Sequence, residues 1–163
     1  MRIPAKADYA VRALVELAAV SGLGPGKAVS EARVRPVSAD KLAAAQEIAG
    51  PFLAGILSQL RLAGLVRSVR GPEGGFLLAR PAREITIADV IRAIDGPLAT
   101  LSGQFPDLLD YPGHAAPLRD VWVAVRANIR AVLEHTTVAD VALGKLPPVV
   151  RKLTADEDAW QRR

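Results

Sequence analysis

The residues best equipped for chemistry are arginines set around a glycine-rich turn. Arg67 and Arg70 precede Gly71-Pro72-Glu73-Gly74-Gly75, Arg80 and Arg83 follow it, and Glu73 and Glu84 are the acids alongside. A guanidinium is permanently charged and presents a planar fork of donors to phosphate oxygens. At the tip of a turn it also suits the negative potential of a narrow minor groove. Gly71, Gly74 and Gly75 would let the backbone come close to a phosphate. Taken alone, the segment reads equally well as a solvated hairpin with incidental arginines. Other chemistries are poorly supplied. The 163 residues contain no cysteine and only two histidines, His114 and His135. That excludes disulfides, thiolate zinc, a nucleophilic thiol and a cysteine-held iron–sulfur cluster. No GxSxG, P-loop or HExxH pattern occurs, and the glycine-rich turn lacks the helix-opening lysine of a phosphate loop. Catalysis needs convergent groups, so no enzyme, cofactor or metal is expected.

Charge points weakly the same way. The chain carries 21 Lys and Arg against 17 Asp and Glu, a net +4. Residues 1–95 hold 13 basic and 9 acidic side chains and residues 96–163 hold 8 of each, so the whole excess (13 minus 9) lies in the first part. An excess of this size is a weak pointer to a polyanionic partner, and on charge alone an ordinary arginine-rich surface is the better reading. Arg12 and Glu16 interrupt the only early apolar run, so neither a signal peptide nor a membrane span fits. The expected location is the cytoplasm, in association with the nucleoid.

The elements that must position the arginines are helical. Val11, Leu14, Val15 and Ala18 fall at i, i+3, i+4 and i+7 and predict an amphipathic helix over roughly 5–20. A glycine- and proline-rich connection follows, with a short strand allowed at its end. Ser38 is a good N-cap for a helix of about ten residues, with Asp40 in its first turn. Gly50-Pro51 is read as the break. From Pro51, a third helix carries Leu53, Ile56, Leu57 and Leu60 on one face and ends at Gly64. After Gly64 the period drops to about two, and 65–70 and 76–80 read as strands of a β-hairpin. Thr86 and Asp89 have capping-box spacing ahead of Ile87, Val90, Ile91 and Ile94, a fourth helix closed by Gly96-Pro97.

Three helices and a hairpin describe a winged helix-turn-helix, whose third helix can enter a major groove while the hairpin reaches backbone or minor groove. With those helices in front of it, the hairpin favours double-stranded DNA. Opposite its apolar stripe the third helix presents Pro51, Ala54, Gly55, Ser58, Gln59 and Leu62. Only Ser58 and Gln59 can hydrogen-bond a base edge, Gln suiting adenine, while Ala54 could meet a thymine methyl. Gly55 costs a helix interior about 1 kcal/mol against Ala, which fits a close backbone approach or simple tolerance. The candidate DNA-contacting set is therefore Ser38, Pro51, Ala54, Ser58, Gln59 and Arg61 from the helices, with Arg67, Arg70, Gly71, Gly74 and Gly75 from the wing.

Beyond the glycine- and proline-rich stretch 97–117, a fifth helix runs from about Leu118 to His135. Leu118, Trp122, Val125, Ile129 and Val132 follow a 4-3-4-3 spacing. Two heptads are too few for an autonomous coiled coil, but they suit a symmetric dimer in which paired weak half-sites reinforce each other. The expected organisation is a DNA-binding domain over 1–96, a loop over 97–117, a dimerisation helix with a short following helix over 118–143, and a tail over 144–163. Within that tail Thr154 is a candidate cap. The fold class is mainly α with a small β-hairpin wing and a long C-terminal dimerisation helix.

Three segments carry a family likeness: Lys6-Ala-Asp-Tyr-Ala-Val-Arg-Ala-Leu, then Gly64-Leu-Val-Arg-Ser-Val-Arg-Gly-Pro-Glu-Gly-Gly-Phe-Leu-Leu-Ala-Arg-Pro, then Asp89-Val-Ile-Arg-Ala-Ile-Asp-Gly-Pro-Leu. Over roughly residues 1–143 the chain resembles the Rrf-two family of bacterial transcription regulators, whose members include IscR, NsrR and CymR types. The resemblance implies a dimeric winged-helix repressor or activator, with Arg70 in the minor groove and the 51–61 helix in the major groove. Two departures matter. IscR-like members carry Glu and Gln where this chain has Ala54 and Gly55, so their base-reading pattern does not transfer. Cluster-binding members hold three cysteines in the loop after the fourth helix, and here residues 101–117 hold none. Asp8 stands where the NsrR type supplies an aspartate ligand, but a carboxylate without thiolates is no cluster site. The expected protein is a cluster-free homodimeric regulator on a palindromic operator, its signal coming from a small-molecule effector near 101–117 or from a protein partner. A winged-helix module that regulates a partner protein is the alternative.

Overall fold

The computed structural model describes residues 3–20 and 35–161. Helix α1 (Ala5–Ala18) is packed on several sides, by α2 (Ala39–Gln46), α3 (Gly50–Leu62), α4 (Ile87–Asp95) and α6 (Val138–Leu143). Its alanines make this possible: Ala7, Ala10, Ala13 and Ala18 are shielded together with Leu14 and Leu17, and small side chains let neighbouring backbones approach. The predicted stripe through Val11 and Val15 marks only the half-buried edge of this arc. A helix wrapped from several directions buries more than one stripe.

The turn between α2 and α3 comes earlier than the sequence predicts. Ser38 caps α2, its hydroxyl accepting from the Lys41 N–H at 3.3 Å. The helix ends after eight residues, with Glu47 in the left-handed region (φ 53°). Ile48 drops into the core, and Gly50 already belongs to α3. Burying Ile48 sets the angle between the helices, so the left-handed position falls on Glu47 and not on Gly50. Arg12 ties α1 to the end of α2, donating from Nε to the Gln46 side chain at 3.2 Å and from Nη2 to the Gln46 carbonyl.

Helix α3 buries the four predicted residues, Leu53, Ile56, Leu57 and Leu60, and Gly64 (φ 69°) turns the chain into the hairpin. Strands β1 (Val66–Val69) and β2 (Gly75–Leu78) pair antiparallel with Val66 opposite Leu78 and Val69 opposite Gly75. Val37, where the sequence allows a short strand, bridges to Phe76 through bonds of 2.8 and 3.0 Å. The capping box of α4 forms as predicted: the Thr86 hydroxyl accepts from the Asp89 N–H at 3.0 Å and the Asp89 carboxylate from the Thr86 N–H at 3.1 Å.

After two 3₁₀ turns (Pro106–Leu108 and Gly113–Ala115) comes α5 (Leu118–Leu133), none of whose residues is fully buried. Helix α6 then returns to the core. Its Val138, Ala139 and Ala142 are buried against α1, and its start is stitched to the start of α4 by Ile87 N–H to Thr136 O (2.8 Å) and Val138 N–H to Ile85 O (2.9 Å). A second capping box, Thr137 with Asp140, starts it. Helix α7 (Pro148–Thr154) lies within the predicted tail, and the side chain that caps the next turn (Glu157–Trp160) is Asp156, not Thr154.

Glu134 locks α5 to α4, accepting from Arg130 Nε at 3.0 Å and from Arg92 Nη2. These two bonds, Arg130's first, hold its carboxyl below the ordinary carboxylate value. A lowered folded-state pKa adds stability above the unfolded value and loses it as pH falls through the folded one. Glu134→Gln should therefore flatten the acid side of the stability-against-pH curve while leaving its slope near neutrality unchanged. Val138→Ala should lower the free energy of urea unfolding by about 2 kcal/mol; an unchanged value would separate α6 from the core.

Candidate nucleic-acid interface

The wing is fixed at its base and open at its tip. Leu65, Val66 and Leu77 are almost wholly buried, whereas Arg67, Arg70, Gly71, Pro72 and Glu73 are exposed. Neither Arg67 nor Arg70 has an acidic partner among the described residues, and both side chains are open to solvent. Arg80 differs, lying 3.8 Å from Asp89, and Arg83 pairs with its neighbour Glu84 at 3.7 Å.

The glycines divide by role. Gly71 (φ 117°) has open space where a side chain would begin. A Cβ on Gly74 would crowd the Val69 and Gly71 carbonyl oxygens, and one on Gly75 (φ 155°) would run into the Val37 carbonyl. The close approach at Gly74 and Gly75 is thus to the chain's own backbone. That corrects the reason the sequence offers for these two, since their smallness is already used in closing the turn and seating Val37.

On α3, Pro51, Ala54, Gly55, Ser58 and Arg61 are exposed on the side away from the core. Gln59 is half-buried, and its Oε1 is buried with no donor. An amide left short of a hydrogen bond gains from any rotamer that brings it to a partner. Ser38 is half-buried at the start of α2 with its hydroxyl engaged in the cap. Phe52, which the sequence reading passes over, is 43% exposed and meets Tyr9 edge-on at 5.7 Å, with the Arg12 guanidinium over the same tyrosine at 5.2 Å.

The five predicted seam residues of α5 do not share one environment. Leu118 and Val125 are each 36% exposed. Trp122, Ile129 and Val132 are half-buried and line cavities toward their own domain, and Val125 also reaches the cavity beside Trp122. Val121, absent from the predicted seam, is 51% exposed, so the helix's open apolar edge runs through Leu118, Val121 and Val125.

A cysteine-free helix-turn-helix with an arginine-tipped hairpin defines a winged-helix DNA-binding regulator. The comparisons make the class specific: the Rrf2 profile, described as an iron-dependent transcriptional regulator, matches residues 3–143, and the chain belongs to the Rrf2 family. Rv1287 of Mycobacterium tuberculosis, provisionally named an HTH-type transcriptional regulator, is 52% identical over 162 residues, covering 99% of this chain and 93% of that protein. The structure of CymR, the global cysteine regulator of B. subtilis, superposes with a TM-score of 0.69 at 29% identity, covering 87% of this chain and 96% of that one. T. potens IscR gives 0.64 at 30% identity, covering 100% and 93%. The protein is a DNA-binding transcriptional regulator, and its family is one of regulators and not of enzymes. No helix among the described residues is long and apolar enough to cross a membrane.

The iron named in the family description does not fit this donor set. The chain has no cysteine, and no three His, Asp or Glu side chains among the described residues converge as metal ligands. Asp8, at the aspartate-ligand position of the NsrR type, is exposed in the first turn of α1 and pairs with Arg12 at 3.7 Å.

Gly75→Ala should break the Val37–Phe76 bridge and accelerate amide exchange at both residues. Ser58→Ala should change stability by less than about 0.5 kcal/mol, as expected of an exposed side chain without structural partners. Equal tolerance at the two positions would contradict the division of roles.

Proposed function

We propose that the protein is a cytoplasmic, homodimeric, sequence-specific repressor that binds a palindromic operator without an iron–sulfur cluster. The observation that carries this reading is the wing: a hairpin anchored by Leu65, Val66 and Leu77, with Arg70 unpaired at its open tip. A guanidinium held on a rigid base loses little freedom on entering a minor groove, where negative potential is concentrated. Beside it, the outer face of α3 offers Ser58, Gln59 and Ala54 to base edges and Arg61 to phosphate. Two polar base readers per protomer make a weak half-site. Pairing two half-sites on one duplex multiplies that contact, and the open apolar edge of α5 at Leu118, Val121 and Val125 supports pairing through that helix. Residues 1–96 with α6 form the DNA-binding unit on this reading, 97–117 the connecting loop, α5 the dimerisation helix, and 144–163 an appended tail.

The test uses DNA fragments that the wild-type protein retains from its own genome. Arg70→Ala should weaken binding by tenfold or more and reduce the salt slope by about one per protomer. Undiminished binding would remove the wing from the interface. Val121→Glu, on a surface that touches nothing in the protomer's core, should shift sedimentation to the monomer and weaken operator binding while leaving the unfolding midpoint of the monomer unchanged. A dimer that survives this change would move the interface elsewhere.

A further inference from the structure

Arg126 is the only half-buried arginine among the described residues without an acidic partner. Its Nε–H is buried and finds no acceptor, and its guanidinium rests on the Phe105 ring at 4.6 Å. A buried donor with no acceptor is costly, and a partly buried charge with no counterion adds to that cost. The side chain faces a cleft of about 330 Å³ between the end of α4, the start of the 97–117 loop and the middle of α5. Arg92 and Arg126 stand on its walls, with Pro97, Leu98 and Phe105 as apolar surfaces.

We propose that this cleft binds a small organic carboxylate, gripped by Arg126 and shielded by Phe105 and Leu98. The orphaned Nε–H belongs to a planar fork that matches a carboxylate in two parallel bonds. Arg92 adds positive potential, although its own donors are engaged by Glu134 and approached by Asp89 at 4.0 Å. Asp95, the acid at the same corner, lines the neighbouring cavities and not this cleft. The two guanidiniums outweigh the partial negative charge at the carboxy-terminus of α4. One free fork with apolar walls suits a singly charged group on an apolar or aromatic body. A phosphate, with more charge and more acceptor oxygens, would call for more free donors than one guanidinium fork supplies, and the Gly96 N–H is already given to the Arg92 carbonyl at 3.1 Å. The volume lies near the lower end of small-molecule sites, about 300–1,000 Å³. Because Arg92 is on α4 and Arg126 on α5, an occupant would join the helix that supports α3 to the helix with the open apolar edge. Its use as a regulatory signal rests on the proposed DNA-binding function, but the site itself does not.

Calorimetric titration of the full chain, without DNA, with sodium benzoate and with benzamide tests the site. The two probes share a shape and differ in charge. Benzoate should bind at least tenfold more tightly than benzamide, and Arg126→Gln should abolish that preference while Arg126→Lys keeps part of it. Should Arg126→Gln fail to fold, the contrast between the two probes on the wild-type chain still decides. Equal affinities, or no binding of benzoate, would overturn the proposal. A failure to bind DNA in the operator assay would leave this result untouched.

Discussion

Everything the molecule can present to a duplex depends on the packing around α1. A helix carrying Ala7, Ala10, Ala13 and Ala18 on its buried arc lets four other helices come close, and Leu14 and Leu17 fill the space between them. That core fixes α3 through Leu53, Ile56, Leu57 and Leu60. Gly64 then turns the chain directly into the wing, whose base is buried in the same core. Loss of close packing at α1 would therefore release the helix and the hairpin together. A protein that must hold several contacts at fixed spacing on a rigid duplex gains from having one core support them all.

The wing is built with its own economy of small residues. Closure of the turn uses Gly74, the Val37 bridge uses Gly75, and Gly71 is left with free space at the tip beside Arg70. Backbone permissiveness at the base and exposed charge at the tip are separate devices, and both are needed to bring an unpaired guanidinium to the end of a stiff arm. The paired arginines do different work. Arg80 sits near the capping box of α4, while Arg92 and Arg130 close on Glu134 and so brace α5 against α4.

How much of this could be read in advance follows from the range of the forces involved. The hairpin, the capping box at Thr86, the stripe of α3 and the turn at Gly64 are decided by residues within a few positions of one another, and their patterns survive in the sequence. The return of α6 to the core is a contact across more than a hundred residues. Its six-residue length is too short for a clear apolar period, though Thr137 and Asp140 repeat the capping spacing seen at Thr86. The left-handed residue at Glu47 was hidden because Gly50-Pro51, three residues on, is the stronger local break signal. Of the seam on α5, Trp122, Ile129 and Val132 turned inward because the protomer itself covers one side of the helix, which the 4-3-4-3 spacing alone could not show. The pairing of Arg126 with Phe105 joins a loop to a helix, and no local pattern marks it.

The central claim is that a symmetric pair of protomers places two guanidinium-tipped wings in minor grooves and two α3 helices in major grooves of one duplex. Methylation interference reads both grooves at once, at adenine N3 on the minor side and guanine N7 on the major side. The account predicts two N3-sensitive tracts, symmetric about a dyad, each adjoining an N7-sensitive tract, with the N3 signal lost in Arg70→Ala. A single unsymmetrical tract, or interference confined to guanine N7 in the wild-type complex, would contradict it.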